Sequence, residues 1–258
     1  MITVIYGVLV VLGVSLVAVA GLTLVQLLVP TDLRQEHNDV AGFIYAVLGV
    51  VYAVLLALVV IAVWEDYGRA RETVESEANA VAEIFWLAHE LPEPEHLRLQ
   101  ELARSYAREV VEEEWLLMEQ GEASLRGWVL IDDIRATLQG YEPRTAAEAA
   151  LYSEGLDQVE ELADARRMRL VVSRQGMPAV LWVALVFGGV AAVGFTYLFG
   201  LENTWTHRLM VVALASVIAL ILFTIGALEY PFSGGASIST GAFDLILERF
   251  ETSKLRDI

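Results

Sequence analysis

The sequence has no cysteine. Disulfides and thiolate chemistry are therefore excluded, and cysteine usage says nothing about compartment. Charge is missing from four long runs, at residues 2–29, 42–64, 178–199 and 209–228. No Asp, Glu, Lys, Arg or His stands near the centre of any of them. Coupled transport ordinarily needs such groups inside the membrane, so a proton-driven pump is disfavoured. Other chemistry is missing too. There is no Gly-rich phosphate loop, no nucleophile elbow and no HExxH pair. The four histidines form no i, i+3 or i, i+4 pair. Neither an enzyme, nor a metal site, nor a cofactor is expected. No internal repeat or low-complexity tract stands out.

What remains is apolar. The 258 residues are 56% hydrophobic, with a mean hydropathy of +0.54. At about 1.5 Å per residue, about 20 residues cross a hydrocarbon core about 30 Å thick. Each uncharged run is long enough. Lipid leaves backbone groups to pair internally, so each run reads as a helix. The expectation is an all-α integral membrane protein with four transmembrane helices and the lipid bilayer as its surroundings. Ala18-Val19-Ala20 has the look of a signal-peptide cleavage site. No Lys or Arg precedes it, however, and the apolar stretch continues to Val29, so the first run reads as a retained helix.

Residues 65–177 differ in kind. They hold 25 Asp and Glu against 12 Arg and Lys, a net charge of −13 within a chain of net −17. Their long Ala, Leu and Glu runs lack strand alternation. The chain thus divides into residues 1–64 with transmembrane helices 1 and 2, an acidic helical domain at 65–177, residues 178–229 with helices 3 and 4, and a C-terminal segment at 230–258. The acidic balance argues against a nucleic-acid partner and against docking on anionic lipid. Orientation follows Lys and Arg near helix ends. Arg69, Arg71, Arg166, Arg167, Arg169, Arg174, Arg249, Lys254 and Arg256 share one side, against Arg34 and the boundary residue Arg208. The inserted domain and both termini are therefore expected in the cytoplasm, and the helices in the inner (plasma) membrane.

The second apolar run should continue as one helix to about His89, since Val74, Ala78, Val81, Ile84, Phe85 and Ala88 keep helical spacing. Leu91-Pro92-Glu93-Pro94 breaks it. Helices should follow at about 95–120, with Leu99, Leu102, Tyr106, Val110 and Leu117 inward, at about 124–140, and from Thr145 toward Arg174. Thr145 with Glu148 reads as a capping box. His89 and His96 straddle the proline turn, at the surface.

Within the second run, Gly42, Ala46, Gly49, Ala53 and Ala57 form a narrow stripe of small residues. In lipid, close approach over small residues supplies helix packing, either inside a bundle or between subunits. Ala184, Gly188 and Ala192 repeat the pattern in the third run. Bulky Tyr45, Leu48, Tyr52, Leu56 and Val59 flank the first stripe, facing lipid, another helix or a pore. Before the run stands Glu36-His37-Asn38-Asp39, which reads as a solvated helix start with Asn38 or Asp39 as N-cap. Glu112-Glu113-Glu114 reads as one exposed helical turn.

Three segments together resemble the bestrophin-like membrane proteins of bacteria, a family distantly similar to bestrophin anion channels. They are the 42–72 segment ending in VWEDYGRARE, the RQGMPAVLW segment at 174–182, and EYPFSGGASIS at 229–239. The last carries Pro231, Phe232, Gly234 and Gly235, where bestrophins have a Pro-Phe-Gly segment. The resemblance implies a homo-oligomer, pentameric in bestrophins, that conducts small inorganic ions passively through a pore around the second helix. It implies an apolar neck at Leu48, Tyr52 and Leu56, with Tyr45 one turn nearer the outside. Arg34, Glu36, His37, Asn38 and Asp39 would then lie at the mouth. Ser233 to Ser237 replace the acids that help clasp calcium in eukaryotic bestrophins. The acidic mouth makes a cation preference as reasonable as an anion preference. A second reading has the four helices as an anchor only, with the acidic domain recruiting a cytoplasmic partner.

Overall fold

The computed structural model describes residues 2–254, with side chains from Thr3 to Thr252. Arg256 and the side chain of Lys254 lie outside the described residues. Among the described residues there is no strand. In chain order the helices are α1 (Ile2–Leu28), α2 (Thr31–Gln35), α3 (Asn38–Leu87), α4 (Glu95–Glu109), α5 (Trp115–Glu119), α6 (Arg126–Gln139), α7 (Ala146–Val172), α8 (Ala179–Thr196), α9 (Thr204–Leu228) and α10 (Gly241–Lys254). By length and composition α1, α3, α8 and α9 can each cross a membrane. The chain divides into two compact units. The first holds the chain up to Asp66, Gly176–Glu229 and Gly234–Ala236. The second holds Tyr67–Gln175, Tyr230–Ser233 and the chain from Ser237 on.

Small residues set the packing of the first unit. Ala18 and Leu22 of α1 are buried against Val211 and Ala215 of α9. One turn away, the hydroxyls of Ser15 and Ser216 share a hydrogen bond of 2.9 Å. A Cβ on Gly7 would sit 2.8 Å from the Phe223 ring, so only glycine allows this approach. At the C-terminus of α9, the Glu229 carboxylate accepts from the Met177 N–H at 2.9 Å and the Trp182 indole N–H at 3.0 Å. It thereby closes α9 and caps the start of α8, where a negative charge meets the helix dipole favourably. Many large apolar side chains of this unit, Leu16 and Phe187 among them, remain exposed. In water they would be a liability, whereas hydrocarbon accepts them.

The second unit has its own core. Ile84 and Phe85 of α3, Leu99 and Tyr106 of α4, Ile131 and Ile134 of α6, and Leu162 of α7 are fully or almost fully buried in it. α3 runs unbroken to Leu87 and ends in a 3₁₀ turn at Ala88–Glu90, as its periodicity predicts. The next helix departs from the expected α geometry. Val110–Glu114 is a turn of π-helix, which delays the helical phase by about one residue. Met118 therefore takes the inward place that a straight helix gives Leu117. Gly121, at φ 77°, ends this helix in the left-handed region, where glycine carries no Cβ penalty. The Thr145 hydroxyl accepts from the Glu148 N–H at 3.2 Å, as expected of the cap. Glu148 reaches back to the Arg144 N–H at 2.7 Å. The C-terminal α10 has no counterpart in the sequence reading. It buries Phe243 and Phe250, and Phe250 stacks on Phe85 with centroids 3.9 Å apart.

Candidate functional site

α3 carries the residues on which a pore would depend, and its faces are unequal. Tyr52, Leu56, Val59 and Val63 are buried in a cluster with Leu185, Ala192, Ile218 and Ile225. The Tyr52 hydroxyl donates to the Leu185 carbonyl at 2.9 Å. Its ring fills the space of a missing side chain, since a Cβ on Gly188 would lie 2.5 Å from Tyr52 Cδ2. Tyr45 is half-buried on the same side, stacked on Phe195 and edge-on to Phe199, both at 5.8 Å. Leu48 packs against the same cluster. Leu48, Tyr52 and Leu56, expected at the neck, thus lie on the packed side of α3 within the chain. Tyr52 and Leu56 are spent on packing against α8 and α9, because the glycines of α8 form a slot for an aromatic ring.

The stripe of small residues on α3 has the opposite fate. Ala46, Ala53 and Ala57 are exposed, and a Cβ on Gly42 or Gly49 would meet nothing within 4 Å. Among the described residues, then, this stripe meets no partner. Beside it Phe43, Val47, Val50, Val54 and Ile61 continue an exposed, uncharged face. The α8 stripe behaves as a packing surface: Gly188 receives Tyr52, and Ala192 is buried.

The polar cluster before α3 is partly structural. Arg34 is buried, and its guanidinium donates to the carbonyls of Tyr197 and Phe199 at 3.3 and 3.2 Å. It satisfies acceptors left open at the C-terminus of α8. Asn38 is not a cap of its own helix. Its amide donates to the Gly200 carbonyl at 2.9 Å and accepts from the Gly200 N–H at 3.0 Å. A side chain at Gly200 would strike the backbone of Thr31 and Gln35. Glu36, His37 and Asp39 stay exposed. The segment after α9 is likewise built in. Phe232 is buried, with Trp115 edge-on at 5.7 Å, and Pro231 accepts from the Ile238 N–H at 2.7 Å. Gly235 accepts from the Thr3 hydroxyl at 2.7 Å, close enough that a Cβ would collide with Thr3. Gly234 is half-buried.

A buried ionic network in the second unit escaped the sequence reading. Glu114, expected on an exposed turn, has no exposed surface, although its neighbours Glu112 and Glu113 do. Arg166 grips it with two hydrogen bonds of 2.6 and 2.5 Å. Arg169 donates to Glu114 at 2.6 Å and to both oxygens of Glu77 at 2.5 and 2.8 Å. Tyr106 donates to Glu77 at 2.5 Å. Burial, then the Glu77 charge, push the Tyr106 phenol well above its ordinary range, with the two arginines opposing. Burial alone would lower the Arg169 guanidinium, but Glu77 and Glu114 outweigh it and hold it raised. A Cβ on Gly127 would collide with the Arg166 guanidinium, so α6 can cross here only as glycine. Two carboxylates balance two guanidiniums, so the network can be buried. The spacing of Arg166 and Arg169 on one face of α7 was the available signal. Among the described residues no group of three or more His, Asp or Glu could hold a metal ion.

An all-helical chain with four apolar helices and uncharged, lipid-compatible faces defines a multi-pass membrane protein. The chain belongs to the Bestrophin-like domain family, whose model matches residues 12–243. Two solved structures share its fold. One is a membrane protein crystallised as a proline-to-alanine variant, with TM-score 0.67 and 14% identity over 93% of this chain and 96% of that one. The other is a bacterial bestrophin homologue from Klebsiella pneumoniae carrying a tyrosine-to-alanine substitution, with TM-score 0.63 and 12% identity over 95% of this chain and 96% of that one. No curated protein matches the chain.

Proposed function

We propose that several copies of this chain, five by analogy with bestrophins, assemble into a passive ion channel. The path would run along the open face of α3. The single observation carrying this reading is the division of α3 into a face filled by α8 and α9 and a face, uncharged and small in part, that meets no partner among the described residues. Four helices with so little polar surface cannot enclose water by themselves. On a helical wheel the small stripe lies about 100° from Tyr52, and Phe43, Val50 and Val54 lie about opposite Tyr52. A neighbouring copy closing on the stripe would turn Val47, Val50 and Val54 toward the axis. These residues replace Leu48, Tyr52 and Leu56 as the proposed neck. An apolar ring resists wetting and conducts when it widens. Exposed Glu36 and Asp39 would set the charge of the mouth. Bestrophin-like membership and the shared fold support the reading.

The test is single-channel recording of purified protein in planar bilayers. Currents carried by small ions are expected, larger when Val47, Val50 and Val54 are replaced together with alanine. Glu36→Gln with Asp39→Asn should move the reversal potential toward anions. Silence of both wild type and the triple variant, in protein shown to be oligomeric, overturns the channel reading and favours a membrane-anchored interaction module.

A further inference from the structure

The start of α6 and the end of α7 frame an open cleft of about 360 Å³, wholly within the second unit. Small-molecule sites run from about 300 to 1,000 Å³, so it can hold one molecule. Its walls are apolar: Leu125 before α6, Trp128 in the first turn, and Leu170 and Val171 of α7. Leu125 is 82% exposed and Val171 44%, so neither is spent on the core. Its charges are Arg167 and Arg174, and no carboxylate lines it. The surrounding residues 65–177 hold 25 Asp and Glu against 12 Arg and Lys, so the cleft is a local exception. The Arg174 guanidinium has no ion pair among the described residues. Arg167 meets Asp164 through Nη1, and its other N–H donors remain. Asp164 and the C-terminal end of α7, with roughly half a negative charge, offset part of this, so the pull on an anion rests mainly on Arg174.

From this arrangement we propose that the cleft binds one anionic phospholipid of the surrounding bilayer. Its phosphate meets Arg174, with Arg167 beside it, and its glycerol and first acyl carbons lie against Trp128, Leu170 and Leu125. A guanidinium fork matches a phosphate bidentately, which an ammonium does not. An indole suits the level of lipid head groups, since one edge is polar and the body apolar. In sequence, Arg174 stands four residues before Pro178, the N-cap of α8, which can cross a membrane. A bilayer lipid is thus the amphipathic anion nearest at hand. The acidic balance of residues 65–177 disfavours anionic lipid for the unit as a whole, but charges beyond about 8 Å are screened at physiological salt. The site stands apart from the channel reading and is tested by binding alone.

The probe is dihexanoyl phosphatidylglycerol, added to the full-length protein in non-ionic detergent. Binding is read by intrinsic fluorescence and by native mass spectrometry. One lipid per chain is expected, with a saturable fluorescence change that Trp128→Phe lacks. Arg174→Gln should weaken binding more than about ten-fold, while Arg71→Gln, at an exposed arginine paired with Glu75, should leave it unchanged. Leu125→Ser removes an apolar wall at an exposed position, so it keeps the test sound by mass spectrometry if Trp128→Phe fails to fold; it too should weaken binding. Dihexanoyl phosphatidylcholine tests the need for net charge, and glycerol 3-phosphate the need for acyl chains; both should bind more weakly. No saturable binding, or equal binding by Arg174→Gln, overturns the site. Equal affinity for phosphatidylcholine overturns the anionic preference, and equal affinity for glycerol 3-phosphate replaces the lipid with a soluble phosphate. A change of oligomeric mass in Arg174→Gln with lipid binding intact gives the cleft to a second copy of the chain and overturns the proposal.

Discussion

Glu114→Gln should be the most damaging isosteric change in the second unit. The glutamate accepts from Arg166 twice, from Arg169 once and from the Ser124 N–H at 3.2 Å. An amide of the same shape removes one charge and turns an NH₂ donor toward guanidinium donors. Two buried arginines are then left facing Glu77 alone. Breaking a buried pair by removing one partner costs about 3–5 kcal/mol, a large part of the 5–15 kcal/mol that holds an ordinary domain together. At about 3 °C per kcal/mol, the melting temperature should fall by roughly 10–15 °C. Trp115 and Trp128 report directly, since Arg169 lies 5.7 Å from one ring and Arg166 5.1 Å from the other. Intrinsic fluorescence of the full-length protein in detergent can follow the melt. Glu113→Gln, at an exposed neighbour, should stay within about 0.5 kcal/mol of wild type. Glu114→Leu combined with Arg166→Met should be milder than Glu114→Gln alone, because it leaves one guanidinium, Arg169, paired with one carboxylate, Glu77, and strands no buried charge. If Glu114→Gln melts within about 2 °C of wild type, the network is not desolvated and the reasoning fails.

Further outcomes follow from the glycines, the clamps and one exposed carboxylate. Gly188→Leu should abolish folded protein on size-exclusion chromatography, since its side chain would need the space of the Tyr52 ring; Gly49→Leu should leave the protomer folded and change only its assembly. Arg34→Met should cost about 1–3 kcal/mol, read in thermal melts, by leaving the carbonyls of Tyr197 and Phe199 unanswered. The backbone N–H of Arg144, then the Tyr141 hydroxyl, hold the Glu148 carboxyl below its usual range. Its stabilisation is therefore complete above the ordinary carboxylate pKa and is lost as pH falls through the lowered value; thermal melts from neutral to acid pH should show Glu148→Gln lacking that part of the acid dependence.

The long elements were legible because their signals are redundant. An uncharged run of more than twenty residues can hardly be other than a helix, and Pro92 with Pro94 marks where α3 must stop. The faces of α3 were less legible. Small residues promise close approach, yet the approach is made by Gly188 on α8 and Gly7 on α1, while Gly42 and Gly49 meet nothing within 4 Å. Period alone cannot say which of two small stripes finds a partner, since that depends on the ring opposite. Glu114 was misread because runs of like charge usually face water. A π-turn and two arginines at a spacing of three on α7 reverse that rule, and the turn cannot be read from residue type. α10 was not legible because its place rests on Phe250 meeting Phe85, a contact between residues far apart in the sequence.

The buried arginines also bear on orientation. Arg166 and Arg169 are neutralised inside the second unit, so they are not free charges beside a membrane span. Exposed Arg69, Arg71, Arg167, Arg174 and Arg249 remain, while before α3 Arg34 is buried. The asymmetry from which we propose a cytoplasmic place for residues 67–175 thus rests on fewer residues, but it keeps its sign, because what counts is Lys and Arg close to span ends. A chain without cysteine makes the test direct. Glu36→Cys and Glu112→Cys both replace exposed side chains, one before α3 and one in the second unit. In intact cells a membrane-impermeant thiol reagent should label the first and spare the second until the membrane is opened. Labelling of Glu112→Cys alone in intact cells would reverse the orientation, and with it the assignment of Glu36 and Asp39 to an outer mouth.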